Sequence, residues 1–209
     1  MKTRFFAIAL TSALFFGCKT PSQPVVTFVE PEDPVAVSDE SAALWDAAGK
    51  KLNAAWGDSD FRYSRSAVPA DVYKGTCKLT AWKGEKVSAQ FLLWSNEAKP
   101  GVACKMDDLK SKGAVIPATA AEINFVRYTL ADDTTPKFME TGRYRKKEAV
   151  PVIAPDMLDS LSSFDMAPRQ TRPVWVTISV PADAQAGVYK TNVIVTSNEL
   201  GKVRLPLEL

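Results

Sequence analysis

Adjacent carboxylates are the residues of this sequence whose type and spacing most directly suggest chemistry. Asp107-Asp108 and Asp132-Asp133 each form such a pair. One carboxylate as general acid and a second as base or nucleophile can act on one bond when both reach it. Adjacent residues of an extended segment point to opposite faces, so neither pair is expected to converge on one bond. We interpret them as solvated carboxylates of turns and assign no catalytic residue.

A second acidic pair, Asp156 and Asp159, flanks Met157-Leu158. A short turn at this point would place both carboxylates on one side of the chain. One interpretation is a loop capped by its own Asp side chains. The functional alternative is a contact with a ligand or with a second domain.

The sequence leaves three environments open for Trp175. It alternates away from the apolar positions 174, 176 and 178 of a predicted strand. Trp175 could therefore lie under a helix, face a second domain, or offer a ring on which the CH groups of a sugar pack. In contrast, Trp82 and Trp94 are predicted to lie in the core.

Two cysteines, Cys77 and Cys104, lie in alternating segments and fall on the apolar face of each. An oxidising compartment would permit a disulfide between neighbouring strands. Two buried free thiols that act as small hydrophobic residues are the favoured interpretation.

The composition excludes several classes of function. The sequence contains no His, which removes Ser-His-Asp and Cys-His catalysis and the commonest zinc ligand. The net charge of +2 gives no general attraction to nucleic acid. We therefore expect no metal site, no cofactor and no nucleic-acid partner.

The N-terminus is organised as an export signal. Lys2 and Arg4 precede an apolar stretch at residues 5–16, which is shorter than the roughly 20 residues of a membrane span. Gly17-Cys18 follows and resembles the lipobox cut by lipoprotein signal peptidase. This resemblance implies removal of residues 1–17, lipidation of Cys18, and attachment to a bacterial envelope membrane. The polar segment after Cys18 lacks an acidic cluster that would resemble a surface-export signal, which favours the periplasmic face of the outer membrane. Secretion with cleavage near Ala13 or Gly17 is the alternative.

Residues 18–37 are predicted to form a Pro-rich linker, and the folded domain is predicted to span residues 38–209. Ser38 is a suitable N-cap for a helix. Apolar residues then recur at helical spacing until Gly57-Asp58, where the helix is expected to end.

Strand patterns dominate the remaining sequence. Both faces of residues 86–94 are apolar, which predicts a central strand. Further strands are predicted at residues 61–66, 77–82, 101–106 and 123–130. The last three alternating segments, residues 174–180, 189–196 and 202–209, are joined by short connections and predict an antiparallel meander.

The connection from Pro181 to Tyr189 carries a recognisable motif. Asp183 can bond to the turn backbone, and Gly187 permits a conformation closed to other residues. Tyr189 re-enters a strand directly afterwards. The arrangement resembles the tyrosine corner of immunoglobulin-like sandwiches. The sequence thus predicts a mainly all-β protein: an antiparallel, immunoglobulin-like β-sandwich with one N-terminal helix packed against it.

Seven stretches in order along the chain resemble one known family. They are residues 56–63 (WGDSDFRY), 81–90 (AWKGEKVSAQ), 107–109 (DDL), 125–128 (FVRY), 154–159 (APDMLD), 172–178 (RPVWVTI) and the corner at 181–189. Together they resemble the N-terminal β-sandwich domain of glycoside hydrolase family 123, whose members include β-N-acetylgalactosaminidases. The resemblance covers roughly residues 40–209.

In that family the sandwich precedes a (β/α)-barrel, which carries a catalytic Asp-Glu pair and uses the acetamido group of the sugar in cleavage. A barrel needs around 250 residues, so no catalytic residue of the family can be carried over to this sequence. The resemblance implies a non-catalytic accessory domain, truncated or free-standing, with a barrel or a glycan as partner. The alternative is a stand-alone glycan-binding envelope lipoprotein.

Overall fold

A computed structural model describes residues 30–33, 39–132, 151–198 and 201–209 of the chain. It contains one α-helix, one short 3₁₀-helix at Ala118–Ala120 and thirteen strands within these ranges. Their bounds are α1 Asp39–Ala48, β1 Asn53–Gly57, β2 Val72–Tyr73, β3 Cys77–Lys78, β4 Lys86–Ser95, β5 Lys99–Met106, β6 Leu109–Ser111, β7 Ala114–Ile116, β8 Ala121–Asp132, β9 Pro151–Asp159, β10 Phe164–Met166, β11 Gln170–Ser179, β12 Lys190–Thr196 and β13 Lys202–Glu208.

The strands form two sheets, and the predicted all-β sandwich with one helix is confirmed. One sheet has the order β2-β1-β4-β11-β8-β9. The other has the order β10-β5-β12-β13-β3, with β6 and β7 attached at β12. The pairing of β13 with the two-residue β3 is parallel, and the other described pairings are antiparallel. Strand β4 is central as predicted, because it pairs with β11 along its whole length and with β1 at residues 90–94.

The main core lies between the two sheets. Phe91, Phe125 and Val174 meet Val193 and Leu205 there, each at most 3% exposed. Burying an aliphatic or aromatic side chain of this size contributes roughly 1.5–3 kcal/mol.

A second, smaller cluster lies on the outer face of the first sheet. There Trp45 of α1 packs with Tyr63, Leu92 and Trp94. The Trp45 indole N–H donates to the carbonyl of Ser66 at 3.0 Å. The helix therefore covers only the β1–β4 end of that face.

The helix is shorter than predicted. It ends at Ala48, and Gly49 follows with φ +75°, a conformation that glycine adopts without strain. The apolar residues that seemed to continue its period belong to strand β1, where Ala55 faces the helix cluster and Trp56 faces the main core. The predicted strand at residues 61–66 is not formed.

The predicted meander of the last three strands is also wrong in part. Strands β12 and β13 form an antiparallel pair, but β11 lies in the other sheet between β4 and β8. Residues 180–189 therefore cross the sandwich, as do residues 79–85 between β3 and β4. The two crossings are joined where Gly84 N–H donates to Val180 O at 3.0 Å and Val180 N–H to Glu85 O at 2.8 Å.

A short N-terminal segment is bound to the sandwich, although it lies within the predicted linker. The carboxylate of Glu30 accepts hydrogen bonds from both terminal nitrogens of Arg172, one of them at 2.7 Å, and from Tyr128 N–H at 2.9 Å. Arg172 is fully buried, and its guanidinium lies 4.2 Å from the Phe164 ring centroid. The Arg65 guanidinium also bonds to this segment, because it donates to Pro31 O at 2.8 Å.

Candidate functional site

Trp175 lies in the middle of β11, on the outer face of the first sheet. The strand register places it beside Gln90 of β4 and Asn124 of β8. Its side chain is half-buried and lines a shallow cavity of about 380 Å³. We call this cavity the Trp175 depression, and its lining consists of residues 59–62, Gln90, Val126, Pro155, Asp156, Leu158 and Trp175.

The helix does not cover Trp175, contrary to one of its three predicted placements. The cluster under α1 is built around Trp45, Leu92 and Trp94 instead. The loop at residues 58–62 lies beside Trp175 because the Gln90 amide donates to the carbonyls of Asp58 and Phe61, at 2.8 and 3.1 Å.

That loop is fixed by further bonds. Asp60 N–H donates to the carboxylate of Asp58 at 2.9 Å, and Asp58 N–H donates to the Tyr63 hydroxyl at 2.9 Å. The Tyr63 hydroxyl in turn donates to Asp71 O at 3.1 Å. The ring of Phe61 is 55% exposed and meets the Tyr63 ring edge-on at 4.8 Å. The wall of the depression is thus held in place before any ligand arrives.

Asp156 lines the depression, but Asp159 does not. Both belong to strand β9 rather than to the predicted turn, and a bulge leaves Asp156 without a partner between Pro155 and Met157. Asp156 forms an exposed ion pair with Arg62 at 3.4 Å. Asp159 forms an ion pair with Arg127 and is paired in register with Phe125, a core residue. The structure therefore brings Trp175 and Asp156 together and places Asp159 on the other face of the sheet.

A larger groove surrounds Trp82, and the sequence analysis missed it. Trp82 was predicted to be a core residue, but its side chain is 83% exposed. The signal in the sequence was the turn Lys83-Gly84-Glu85 directly after it. We call this cavity of about 780 Å³ the Trp82 groove, and it is lined by residues 78–83, Ile116, Val180, 184–189, Glu208 and Leu209.

The walls of the Trp82 groove are the two crossings of the sandwich. On one side, Trp82 N–H donates to the Glu85 carboxylate at 2.6 Å, and Gly84 has φ +79°. On the other side, the Tyr189 hydroxyl donates to Gln185 O at 2.8 Å. This bond back to the turn is the one expected of a tyrosine corner.

Cys77 and Cys104 are separate thiols. Both pack against the main core, as predicted, but β12 and β13 lie between their strands. Four strands side by side place the outer two about 14 Å apart, whereas a disulfide needs Cα atoms within about 7 Å. The alternative of a Cys77–Cys104 disulfide is therefore wrong. Burial raises the pKa of Cys77, and it raises the pKa of Cys104 to about 12.

The remaining predictions fall on turns or outside the described residues. Asp108 accepts a hydrogen bond from Ala118 N–H at 2.9 Å, as a turn carboxylate does, and Asp107 lies 3.9 Å from Arg204. Within the described ranges, no group of three or more acidic or Cys side chains could hold a metal. Neither helical segment that the structure describes has the length and apolar character to cross a bilayer. Cys18 and Asp133 lie outside the described residues.

A solved structure of a family 123 glycoside hydrolase from Clostridium perfringens, described by its hydrolysis of glycolipid glycans, superposes with a TM-score of 0.63 at 20% identity. The match covers 76% of this chain and 27% of that one, so this chain spans about a quarter of its relative's length. A structure of AvmM, which catalyses macrocyclization in alchivemycin A biosynthesis, shares 6% identity over 78% of this chain and 89% of that one, at a TM-score of 0.35 too low to support an argument. The search among curated proteins gave no match.

The sequence itself matches the family described as the glycoside hydrolase 123 N-terminal domain over residues 56–197. The match covers more than half of the chain, and it includes both crossings of the sandwich and the whole Trp175 strand. The chain therefore belongs to the family of glycoside hydrolase 123 N-terminal domains.

Proposed function

We propose that this chain is the non-catalytic accessory domain of a glycan-degrading lipoprotein, and that it supports the catalytic barrel of a family 123 glycoside hydrolase. Its family is one of N-terminal domains, and the matched region stops at residue 197. The Clostridium relative hydrolyses glycolipid glycans, and we extend that substrate class to the assembly that contains this domain.

The Trp82 groove carries the proposal. An apolar cavity with a tryptophan 83% exposed and Val188 55% exposed leaves hydrophobic surface in water. Exposed apolar patches of this kind mark surfaces that bind other proteins. A tryptophan that becomes buried on binding is also among the residues that contribute most to the binding free energy of such interfaces.

The position of Leu209 supports a barrel domain as the occupant. Leu209 lines the groove, and two backbone bonds of 2.8 and 2.9 Å tie it to Tyr189. A domain joined to the chain after Leu209 would reach the Trp82 groove without a long connection.

Two assays test the accessory role. The full chain alone is expected to release no aryl alcohol from an aryl N-acetylgalactosaminide, and turnover by the chain alone would overturn the proposal. The DNA beyond the codon for Leu209 is expected to encode a barrel domain. That domain, produced separately, should bind the full chain. Trp82→Ser should weaken this binding about tenfold or more, whereas Trp175→Ser should leave it unchanged.

Attachment to a membrane through Cys18 is part of the proposal. The charged start, the apolar stretch and Gly17-Cys18 support it. Cells fed an alkyne-tagged fatty acid are expected to label the wild-type chain and not the Cys18→Ala variant. Labelling of both variants would contradict lipidation at Cys18.

The second candidate is a stand-alone glycan-binding lipoprotein. The Trp175 depression favours it, because this site combines an aromatic ring with charged groups and lies away from the Trp82 groove. The two functions are compatible, since a domain that docks a barrel through one surface can hold a glycan on another.

A further inference from the structure

We propose that the Trp175 depression is a binding site for a neutral pyranose saccharide. The site itself is argued from its own geometry. Only the choice of N-acetylated sugars as first probes rests on the proposed function.

Aromatic and aliphatic surface forms the floor and one wall of the depression. Trp175 is half-buried within a strand paired on both sides, so its ring is held by the sheet. Phe61 is 55% exposed and Leu158 is 51% exposed beside it. The axial CH groups of a pyranose form a flat apolar face that can pack on such surfaces.

The rim supplies groups for sugar hydroxyls. Asp60 and Asp156 are exposed carboxylates, which accept hydrogen bonds from hydroxyl groups, and Arg62 donates in a planar fork. The two side chains of the Arg62–Asp156 ion pair are each 62% exposed, so water hydrates the pair. A ligand can therefore replace this water at a low cost in free energy.

The charges of this rim favour an uncharged sugar. Two carboxylates oppose one guanidinium among the described lining residues. A sialylated or sulfated saccharide would meet a net negative rim and be repelled. A neutral saccharide would gain the same hydrogen bonds without that repulsion.

The depression is preformed, and this lowers the entropy lost on binding. The Gln90 amide, the Asp58 carboxylate and the Tyr63 hydroxyl each fix the loop at residues 58–62. Its volume of about 380 Å³ is at the lower end of ligand cavities, which run from about 300 to 1,000 Å³. This size suits one or two sugar units.

The experiment is a titration of the full chain, in a detergent without a sugar headgroup, with methyl β-N-acetylgalactosaminide and with neutral and sialylated oligosaccharides that contain N-acetylgalactosamine. The indole N–H signals of the five tryptophans report the site by NMR. The Trp175 signal is expected to shift with a neutral sugar at millimolar concentration, and the Trp82 signal is expected to stay in place.

Variants decide the outcome. Trp175→Ala and Asp60→Asn should each weaken binding about tenfold or more, and Asp60 is exposed, so the second change leaves the fold intact. Trp82→Ala is the matched control and should bind as the wild type does. Unchanged affinity in both site variants, loss of binding in Trp82→Ala, or the absence of a shift with every neutral sugar would each overturn the proposal. If Trp175→Ser abolishes docking of the barrel and the wild-type chain binds no sugar, the depression is a protein interface instead.

Discussion

The Trp82 groove and the Trp175 depression each centre on one tryptophan, yet they differ in nearly every other respect. Trp82 lies in a connection between sheets and is 83% exposed, whereas Trp175 lies in a central strand and is half-buried. The groove has about twice the volume of the depression. Three charged side chains line each cavity: Lys78, Lys83 and Glu208 in the groove, and Asp60, Arg62 and Asp156 in the depression. Cations therefore outnumber carboxylates in the groove, and carboxylates outnumber cations in the depression.

This difference indicates which kind of partner each exposed ring suits. Trp82 shares its groove with Leu79, Val180 and Val188, so another apolar surface would cover it best. A ring bordered by carboxylates suits a ligand that offers both CH groups and hydroxyls. Variants that affect one region and leave the other unchanged test whether the two surfaces are independent.

The largest effect is expected for Glu30→Ala. The Glu30 carboxylate pairs with fully buried Arg172, whose Nε has no hydrogen-bond partner among the described residues. Removal of one partner of a buried pair costs about 3–5 kcal/mol. Arg172 also donates to Val126 O at 2.8 Å, and Val126 lines the Trp175 depression. Urea unfolding should show this loss of unfolding free energy. In the NMR spectrum, the indole N–H signal of Trp175 should move, and that of Trp82 should stay in place.

A double variant, Glu30→Met with Arg172→Met, is the control because it removes the fully buried cation together with its carboxylate, while Arg65, which also pairs with Glu30 at 3.4 Å, keeps its bond to Pro31 O. It should be more stable than Glu30→Ala alone. An equally unstable double variant would show that the charges are not the cause.

The same pair predicts a pH dependence. Burial raises the pKa of Glu30, but the hydrogen bond and charge of Arg172, the backbone N–H of Tyr128 and the charge of Arg65 together outweigh burial and lower the pKa below its usual 4.5. Since the folded-state pKa is lower than the unfolded one, the pair stabilises the fold above about pH 4.5 and loses this contribution as the pH falls through the folded-state pKa. The free energy of unfolding of Glu30→Gln should depend less on pH in this range than that of the wild type.

The next largest effect is expected for Gly57→Ala. A Cβ at this position would lie 2.4 Å from Leu92 Cδ2 and 2.8 Å from the Tyr63 hydroxyl, and both side chains are buried. Overpacking of this kind costs about 1–3 kcal/mol. Displacement of Tyr63 would also release the loop at residues 58–62, so sugar binding should weaken with stability. Gly75→Ala, whose Cβ meets nothing closer than 3.9 Å, is the control and should be neutral.

Alternation along the strands predicted most of the fold, because one sheet face packs on the core. The central strand β4, the strands near the C-terminus and the tyrosine corner all followed from local pattern. Sheet membership did not: whether β11 pairs with β12 or crosses the sandwich depends on the long-range pairing of β11 with β4 and β8. The end of α1 was misplaced because Ala55 and Trp56, although strand residues, continued the helical spacing.

The candidate sites were predicted less well than the fold, for similar reasons. Trp175 and Asp156 were singled out from their types, but a β-bulge that no local pattern signals places them together. Trp82 was assigned to the core as the last residue of a strand predicted at residues 77–82, but the strand ends at Lys78. Its exposure follows from the turn bonded to Val180, which lies far away in sequence. Glu30 looked like part of a linker because its partner Arg172 is distant in the chain.

A moderate effect is expected for Tyr189→Phe. The Tyr189 hydroxyl donates to Gln185 O, and its removal leaves that carbonyl without this donor. The expected loss is about 1–2 kcal/mol of unfolding free energy. The Trp82 indole signal should broaden or move because the opposite wall of its groove loosens. A shift of similar size in the Trp175 indole signal would show that the Trp82 groove and the Trp175 depression are coupled, which would contradict their independence.

The smallest effect on stability is expected for Trp82→Ser. The side chain is 83% exposed and packs little, so the free energy of unfolding should change by no more than about 0.5 kcal/mol. Trp175→Ser removes a half-buried ring from a central strand and should cost more. If Trp82→Ser is as destabilising as Trp175→Ser, Trp82 packs against its own domain and is not free to bind a barrel. If it is neutral, the exposed ring contributes nothing to this fold and is available to the barrel domain that we propose as its partner.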